Sequence, residues 1–482
     1  MNEQGELAVS ASVSDRSTKS RLGGLWRDIG EAVRGSQQDF TEVGIGRAIM
    51  LLSIPMVLEM SMESLFGVVD VYFVARLGAD AVAAQGLTES LITPIFAIAI
   101  GLGMATTAMV ARRIGEKEPA KASVTAAQGI ILGIVFSVPI AVVGVLLTPL
   151  LLRLMGASSE VIRVGGGYTA VLLGSNVTIM LLFLNNAVFR GAGDAAIAMR
   201  ALWLANLINI VLDPCLIFGW GPFPEMGVTG AGVATAIGRG IGVVYQLWVL
   251  MTGRGRIHVR LSQMRVDFEV MRNLLRVSVG GMLQFLVATA SWLGLVRIIA
   301  VFGSAALAGY TIAIRIIIFA ILPSWGMSNA AATLVGQNLG AQKPDRAERS
   351  VWVTGFCNMV FLGLVAIVFI LYAEQFVRMF TSDPAVVPFG TDCLRYVSYG
   401  YVFYAYGMVM VQAFNGAGDT FTPTVINLFC YWLFQIPLAY VLALSAGLGA
   451  QGVFLAITIS ESTTALVGVL VFRRGRWKQQ KV

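Results

Sequence analysis

The chain has 482 residues, 57% of them hydrophobic and 13% charged, and that much apolar surface exceeds what a soluble core of this length hides, so it reads as a polytopic membrane protein. Its net charge of +7 does not mark a nucleic-acid binder, because the basic residues sit in short connections and not along one face. One histidine, His258, and four scattered cysteines, Cys215, Cys357, Cys393 and Cys430, suggest no metal cluster, disulfide framework or hydrolytic triad, so neither a cofactor nor an enzymatic reaction is expected.

Residues 1–21 are polar and Ser-rich, and read as a disordered tail that lacks the apolar stretch of a signal peptide. From Leu22 the apolar residues Leu25, Trp26, Ile29, Ala32 and Val33 recur at three and four, with Arg27, Asp28, Glu31 and Arg34 between them. This is the pattern of a helix lying in the membrane surface, and it completes a tail of residues 1–47. Apolar runs long enough to cross a hydrocarbon core of about 30 Å follow at 48–72, 81–110, 123–150, 165–188, 197–219 and 227–252. After a polar-basic linker, 253–271, six more occur at 272–299, 305–335, 350–372, 392–414, 421–444 and 449–472, followed by a basic tail, 473–482. The expected fold is an all-α membrane protein of about twelve transmembrane helices in two six-helix lobes, 48–252 and 272–472. Arg112, Arg113, Lys117, Lys121, the linker arginines, Lys343, Arg346, Arg349 and the final tail fall on one side, which predicts cytoplasmic termini.

An ionisable group inside a spanning helix is costly unless it faces protein or water. The first predicted helix carries Glu59, Glu63 and Asp70 at spacings of four and seven, hence on one face, one turn beyond Pro55. Glu89 lies in the second, Asn209 and Asp213 share a face of the fifth, and Thr235 stands in the sixth. These oxygen donors in one lobe suit a hard monovalent cation or a shared proton. The second lobe offers Gln284, Arg315, Gln412 and Glu461, of which Glu461 suits an interhelical hydrogen bond. Asp194 and Asp419 follow Gly-Ala-Gly and are expected to cap helix starts.

The lobes are copies offset by 225: Gly78 matches Gly303, Gly115 matches Gly340, Pro119 matches Pro344 and Gly193 matches Gly418. Asp70 falls on Leu295, Glu59 on Gln284, Glu63 on Ala288 and Glu89 on Ile314. Beyond Asp419 the second copy is about five residues shorter, with Gly232 matching Gly452 (452 − 232 = 220). Duplication with chemistry retained in one copy is the outline of a two-lobed secondary transporter.

The segments IPMVLEM…VVDVYFVARLG, VARRIGEKEPAKA, FRGAGD, NLINIVLDP and GVTGAGVAT, in that order, resemble the bacterial multidrug and toxic compound extrusion (MATE) family over residues 42–472. The resemblance implies two bundles related by a pseudo-two-fold axis, enclosing a cleft, and antiport of drug against H⁺ or Na⁺. It assigns the cation site to Asp70, Asn209, Asp213 and Thr235 and the bending proline to Pro55. Because Gln284 and the absence of acids in the tenth helix depart from members with a site in the second lobe, the chain looks closer to the branch named for a DNA-damage-inducible member than to the one named for norfloxacin resistance. Glu59, Glu63, Glu89 and Gln284 would line the substrate cleft. The implied partners are amphipathic, mostly cationic drugs and the lipid bilayer; the implied setting is a monomer in the bacterial inner membrane. A flippase for lipid-linked precursors is the alternative.

Overall fold

The computed structural model describes residue 24, residues 26–480 and residue 482, so the Ser-rich tail lies outside the described residues. Helix α1 covers 26–34. The first bundle holds α2 (Ile45–Ala75), α3 (Ala79–Gly115), α4 (Pro119–Leu154), α5 (Ser159–Gly174), α6 (Asn176–Ala192), α7 (Ala195–Phe218) and α8 (Val228–Thr252). The second holds α9 (Phe268–Ala300), α10 (Ser304–Gly340), α11 (Pro344–Arg378), α12 (Val387–Tyr399), α13 (Tyr401–Ala417), α14 (Phe421–Ser445) and α15 (Ala450–Arg473).

Ten of these helices are long and apolar enough to cross a membrane, and α5 with α6, bent by 44° at their junction, make an eleventh crossing. The remaining predicted run, 392–414, falls on the pair α12 and α13, which breaks at Gly400, the counterpart of Ser175 (400 − 175 = 225). At the first break the Asn176 amide donates to the carbonyl of Leu173 (2.6 Å) in the last turn of α5 and to that of Ser137 (3.1 Å) in α4, so one side chain serves the broken end and ties it to a neighbouring helix.

The duplication is also visible in the backbone. Lys117 (φ 62°) and Gln342 (φ 59°), again 225 apart, are the non-glycine residues with positive φ among those described. Each sits just after a long helix and before a proline-started one, α4 or α11.

Two reciprocal glycine contacts join the bundles. A Cβ placed on Gly115 would lie 2.0 Å from the Gln337 carbonyl oxygen, and one on Gly340 would lie 2.2 Å from that of Arg112. Deeper in the seam, Gly101 lies against Ser278 and Met282 of α9, while Gly326 lies against Met56 and Val57 of α2. No other residue lets backbones approach this closely, as in small-residue contacts between membrane helices generally.

Near this seam Thr333 donates to the Arg190 carbonyl (3.0 Å) and Gln337 to the Gly191 carbonyl (3.0 Å), and Arg112 reaches the carbonyls of Ala417 and Gln480. The described segments nearest the two ends of the chain meet on the same side. Residues 36–43 cross it as a strap: Arg256 of the linker donates to the Ser36 and Gln38 carbonyls and covers the Phe40 ring, and Arg346 of α11 donates to the Phe40 and Val43 carbonyls. Burial works against ionising Asp39 in this strap, but donation from Lys117 and Thr41 outweighs it and holds the carboxyl at about 2. A depressed pKa stabilises the strap above the ordinary value of 3.8, and the effect is lost as pH falls through about 2.

The amphipathic segment before the strap folds as α1, with Trp26 exposed and Ala32 buried against Phe40, Ala48 and Leu52. Arg47 pins it by pairing with Glu31 (2.6 Å) and Asp28 (3.3 Å).

Replacing Gly340 by valine leaves no room for the Arg112 carbonyl and must part the lobes at this end. Spin-label distances between the ends of α3 and α10 should lengthen in Gly340→Val and stay as in the parent in a surface control.

Candidate functional site

Between the bundles lies a cavity with about 970 Å³ of empty volume, lined from the first lobe by Glu59, Met60, Glu63, Phe183 and Arg190 among others, and from the second by Trp325, Asn329 and Gln412. The terminal-end seam lies beneath it, because Gly416 lines the cavity and packs on Ala332 of α10. Apart from the charged residues, the wall combines Leu, Ile, Met, Phe and Trp side chains with small residues and the amides of Asn186, Asn329, Gln412 and Asn415. That is the composition of a site for amphipathic small molecules.

The two glutamates of α2 differ in their partners. Glu59 is fully buried; its Oε1 accepts from Arg190 Nη1 (3.1 Å) and Asn186 Nδ2 (3.0 Å) while its Oε2 has no partner, so what sets it apart is the ion pair with Arg190. Arg190, in the last turn of α6 beside the Gly-Ala-Gly signature, thus reaches into the cavity wall. Glu63 accepts from the neutral Asn206 Nδ2 (3.0 Å) and is in part open to the cavity. Of the four residues expected to line the cleft, Glu59 and Glu63 do. Glu89 and Gln284 are absent from this lining. Glu89 lies on the outer half of α3, within coulombic reach of Arg315 from the opposite lobe, and Gln284 is buried with its Oε1 unpartnered.

A second cluster sits inside the first bundle, between α2, α3, α7 and α8. The Asn209 side chain lies 2.8 Å from Thr235 Oγ1, and with its amide turned so that the oxygen meets donors, its nitrogen also donates to Asp213 Oδ2 at 2.8 Å. Asp213 is fully buried and feels the charge of Asp70. Asp70, 9% exposed, accepts from Gln85 Nε2 at 2.6 Å, while its Oδ1 has no partner. The four residues assigned by resemblance thus form one buried cluster, and a carboxylate oxygen of Asp70 is left there without a donor. Oxygen donors of this kind suit H⁺ or Na⁺, and Asp70, Asn209, Asp213 and Thr235 would supply them.

Several members of the site were not among the residues the sequence singled out. Gln85 supplies the one hydrogen bond to Asp70, and Tyr168 of α5 and Arg239 of α8 lie within coulombic reach of Asp70. Arg239 is an intramembrane charge, and that property alone could have singled it out. Pro55 lies inside a continuous α2, next to Met56, whose carbonyl meets Gly326 of the other lobe. The proline thus removes a backbone hydrogen bond where the lobes touch.

The two expected helix caps part company. Asp419 accepts from Thr422 N (3.1 Å) and Thr422 Oγ1 (2.6 Å) as a cap does. Asp194 makes no such bond to α7: it accepts from the Arg256 backbone amide (2.6 Å) and pairs with its guanidinium (3.4 Å), so the linker has taken the carboxylate. Burial pushes this carboxyl above the usual range, against the pull of Arg256.

Arg190→Met leaves the Glu59 carboxylate buried and unpaired, and should cost about 3–5 kcal/mol. Thermal unfolding should show the loss, and the double variant Arg190→Met/Glu59→Gln should recover most of it.

The MatE family profile matches residues 55–215 and 282–441, one stretch in each lobe, with Asp70, Asn209 and Asp213 inside the first. A probable multidrug resistance protein NorM of Thermotoga maritima is 26% identical over 438 residues, covering 91% of this chain and 94% of that protein. Among solved structures, a MATE transporter in the straight conformation superposes with a TM-score of 0.86, at 28% identity and covering 92% of this chain and 98% of that one. The bent conformation gives 0.83, with coverage of 92% and 97%. With both repeats matched and the two-lobed architecture shared, the chain belongs to the MatE family of membrane transporters, whose relatives include multidrug export proteins.

Proposed function

We propose that this protein is a multidrug exporter of the bacterial inner membrane that works as a monomeric antiporter. It exchanges amphipathic, mostly cationic compounds from the cytoplasm for H⁺ or Na⁺ bound in the first lobe. The observation that carries the reading is the Asp70 pocket: Asn209 joins Asp213 to Thr235, and beside them stands a buried Asp70 oxygen with no donor. In this mechanism an external cation binds there and neutralises the carboxylates. Neutralisation lets α2 bend at Pro55, which repacks the wall that carries Glu59 and Glu63. The drug leaves its cavity as that wall moves, and release of the cation on the other side resets the helix.

Both termini are cytoplasmic on this reading, since the seam end carries Arg112, Arg113, Arg346 and the basic tail. With that end closed, the conformation described corresponds to the outward-facing half of the cycle. Helix α1, with Trp26 outward, rests at the cytoplasmic membrane surface. A flippase for lipid-linked pyrophosphates is less well supported, because the cavity's one arginine among the described residues, Arg190, is already paired with Glu59.

Efflux from membrane vesicles with independently imposed pH and Na⁺ gradients tests the exchange. Asp70→Asn should abolish gradient-driven efflux at normal abundance, and wild-type export by this variant would dispose of the coupling site. Glu63, the cavity carboxylate without a protein counter-charge, should answer a drug's charge. Glu63→Gln should weaken binding of a cationic drug about tenfold while sparing a neutral one of the same shape. Equal loss of both ligands would move the glutamate out of the drug site.

A further inference from the structure

The second lobe has its own cavity, open on one side, and its wall includes Trp292, Tyr310, Tyr401, Tyr404, Tyr431 and Glu461. It occupies the place that the Asp70 cluster holds in the first lobe. Leu295 and Ile314, the counterparts of Asp70 and Glu89 (295 − 70 = 225; 314 − 89 = 225), are in its wall. The carboxylate stands on a different helix here: Glu461 projects from α15, where the first copy has Ile241 (461 − 220 = 241).

Three independent features point to a ligand. Tyr431 alone hydrogen-bonds Glu461, at 3.3 Å, and among the described residues no lysine, arginine or histidine lines the cavity. A carboxylate in such surroundings must be met by a proton or by a cation from outside. The Tyr401 hydroxyl, on a residue only 1% exposed, has no partner. Helix α14, which brings Tyr431 and Gln435 to the wall, is wound as a π-helix over Leu428–Gln435, and such departures from α geometry occur frequently at functional sites. A proton alone leaves the ring of aromatic side chains without a role. Aromatic faces around one anionic oxygen pair are the chemistry that recognises a substituted ammonium.

We propose that this cavity is a second binding site, for an organic ammonium ion, with Glu461 as counter-charge and Trp292, Tyr401, Tyr404 and Tyr431 as its aromatic wall. The site is distinct from the central cavity and does not depend on which cation drives export.

The test is equilibrium binding to the purified full chain in lipid nanodiscs with no gradient, so that a failure of the exchange mechanism leaves it unaffected. All variants carry Glu63→Gln to remove the central carboxylate. The probes are benzyltrimethylammonium and its neutral isostere neopentylbenzene, followed by tryptophan fluorescence and calorimetry. Adding Glu461→Gln should weaken the ammonium about tenfold or more and leave the neutral probe within about twofold. Trp292→Leu should likewise weaken the ammonium more than the isostere, and serves if the glutamate variant does not fold. Ammonium affinity unchanged in both variants overturns the proposal. So does an equal loss of both probes, or a Glu461→Gln protein that has lost only a titrating proton.

Discussion

A charge placed in hydrocarbon has to be answered, and the identity of the answer separates structural carboxylates from working ones in this chain. Glu59 is answered by Arg190 and Asn186, and it fastens α2 to α6. Asp194 is answered by Arg256, and it fastens the lobe linker to the start of α7. Asp213 has the amide of Asn209, and Asp70 has Gln85 on one oxygen and nothing on the other. Neutral donors solvate a carboxylate without cancelling its charge, so a mobile cation retains a reason to bind. The same logic applies to Glu63 towards the central cavity and to Glu461 in the second lobe.

The framework that holds these groups is stiff where the lobes touch at the terminal end and open above it. Backbone contact at the glycine seam is an all-or-none interaction, because a helix cannot slide by a fraction of a residue against a facing carbonyl. Such contacts favour two discrete arrangements over a continuum, as packed interfaces generally do. The strap of residues 36–43, tied to the linker by Arg256 and to α11 by Arg346, spans both lobes and must yield or re-register when they part at that end.

Much of this was legible in the sequence. Twelve apolar runs fall on ten helices and two broken pairs, with ends set by Gly78, Gly303, Pro119 and Pro344. The 225-residue offset anticipated the symmetry down to the positive φ of Lys117 and Gln342. Asp70, Asn209, Asp213 and Thr235 meet in one pocket. What remained hidden depends on partners distant in the chain: Glu59 and Arg190 are 131 residues apart, and helical spacing shows which face a side chain is on but not what it meets. The turn chemistry of Asp194 was read from its neighbours, and the linker backbone 62 residues away won the carboxylate. Glu89 shares a face of α3 with Ile100 and Thr107 of the cavity wall but stands 11 and 18 residues before them, beside Arg315, so its absence from the cleft follows from its height along the helix, which the runs of apolar residues do not define.

The seam has one more property. Gly115 meets the carbonyl of Gln337, and Gly340 meets that of Arg112; adding 225 to 115 and 112 gives 340 and 337, so the second contact is the first with the lobes exchanged. Gly101 and Gly326 repeat the relation at the next level. This is an isologous interface of the kind that joins identical subunits about a two-fold axis, preserved inside a single polypeptide. Each half presents a surface complementary to its own copy, as a self-associating six-helix ancestor would have needed before fusion. The two halves are free to differ away from that surface, as Asp70 against Leu295 shows, while the contact that joins them obeys the two-fold relation.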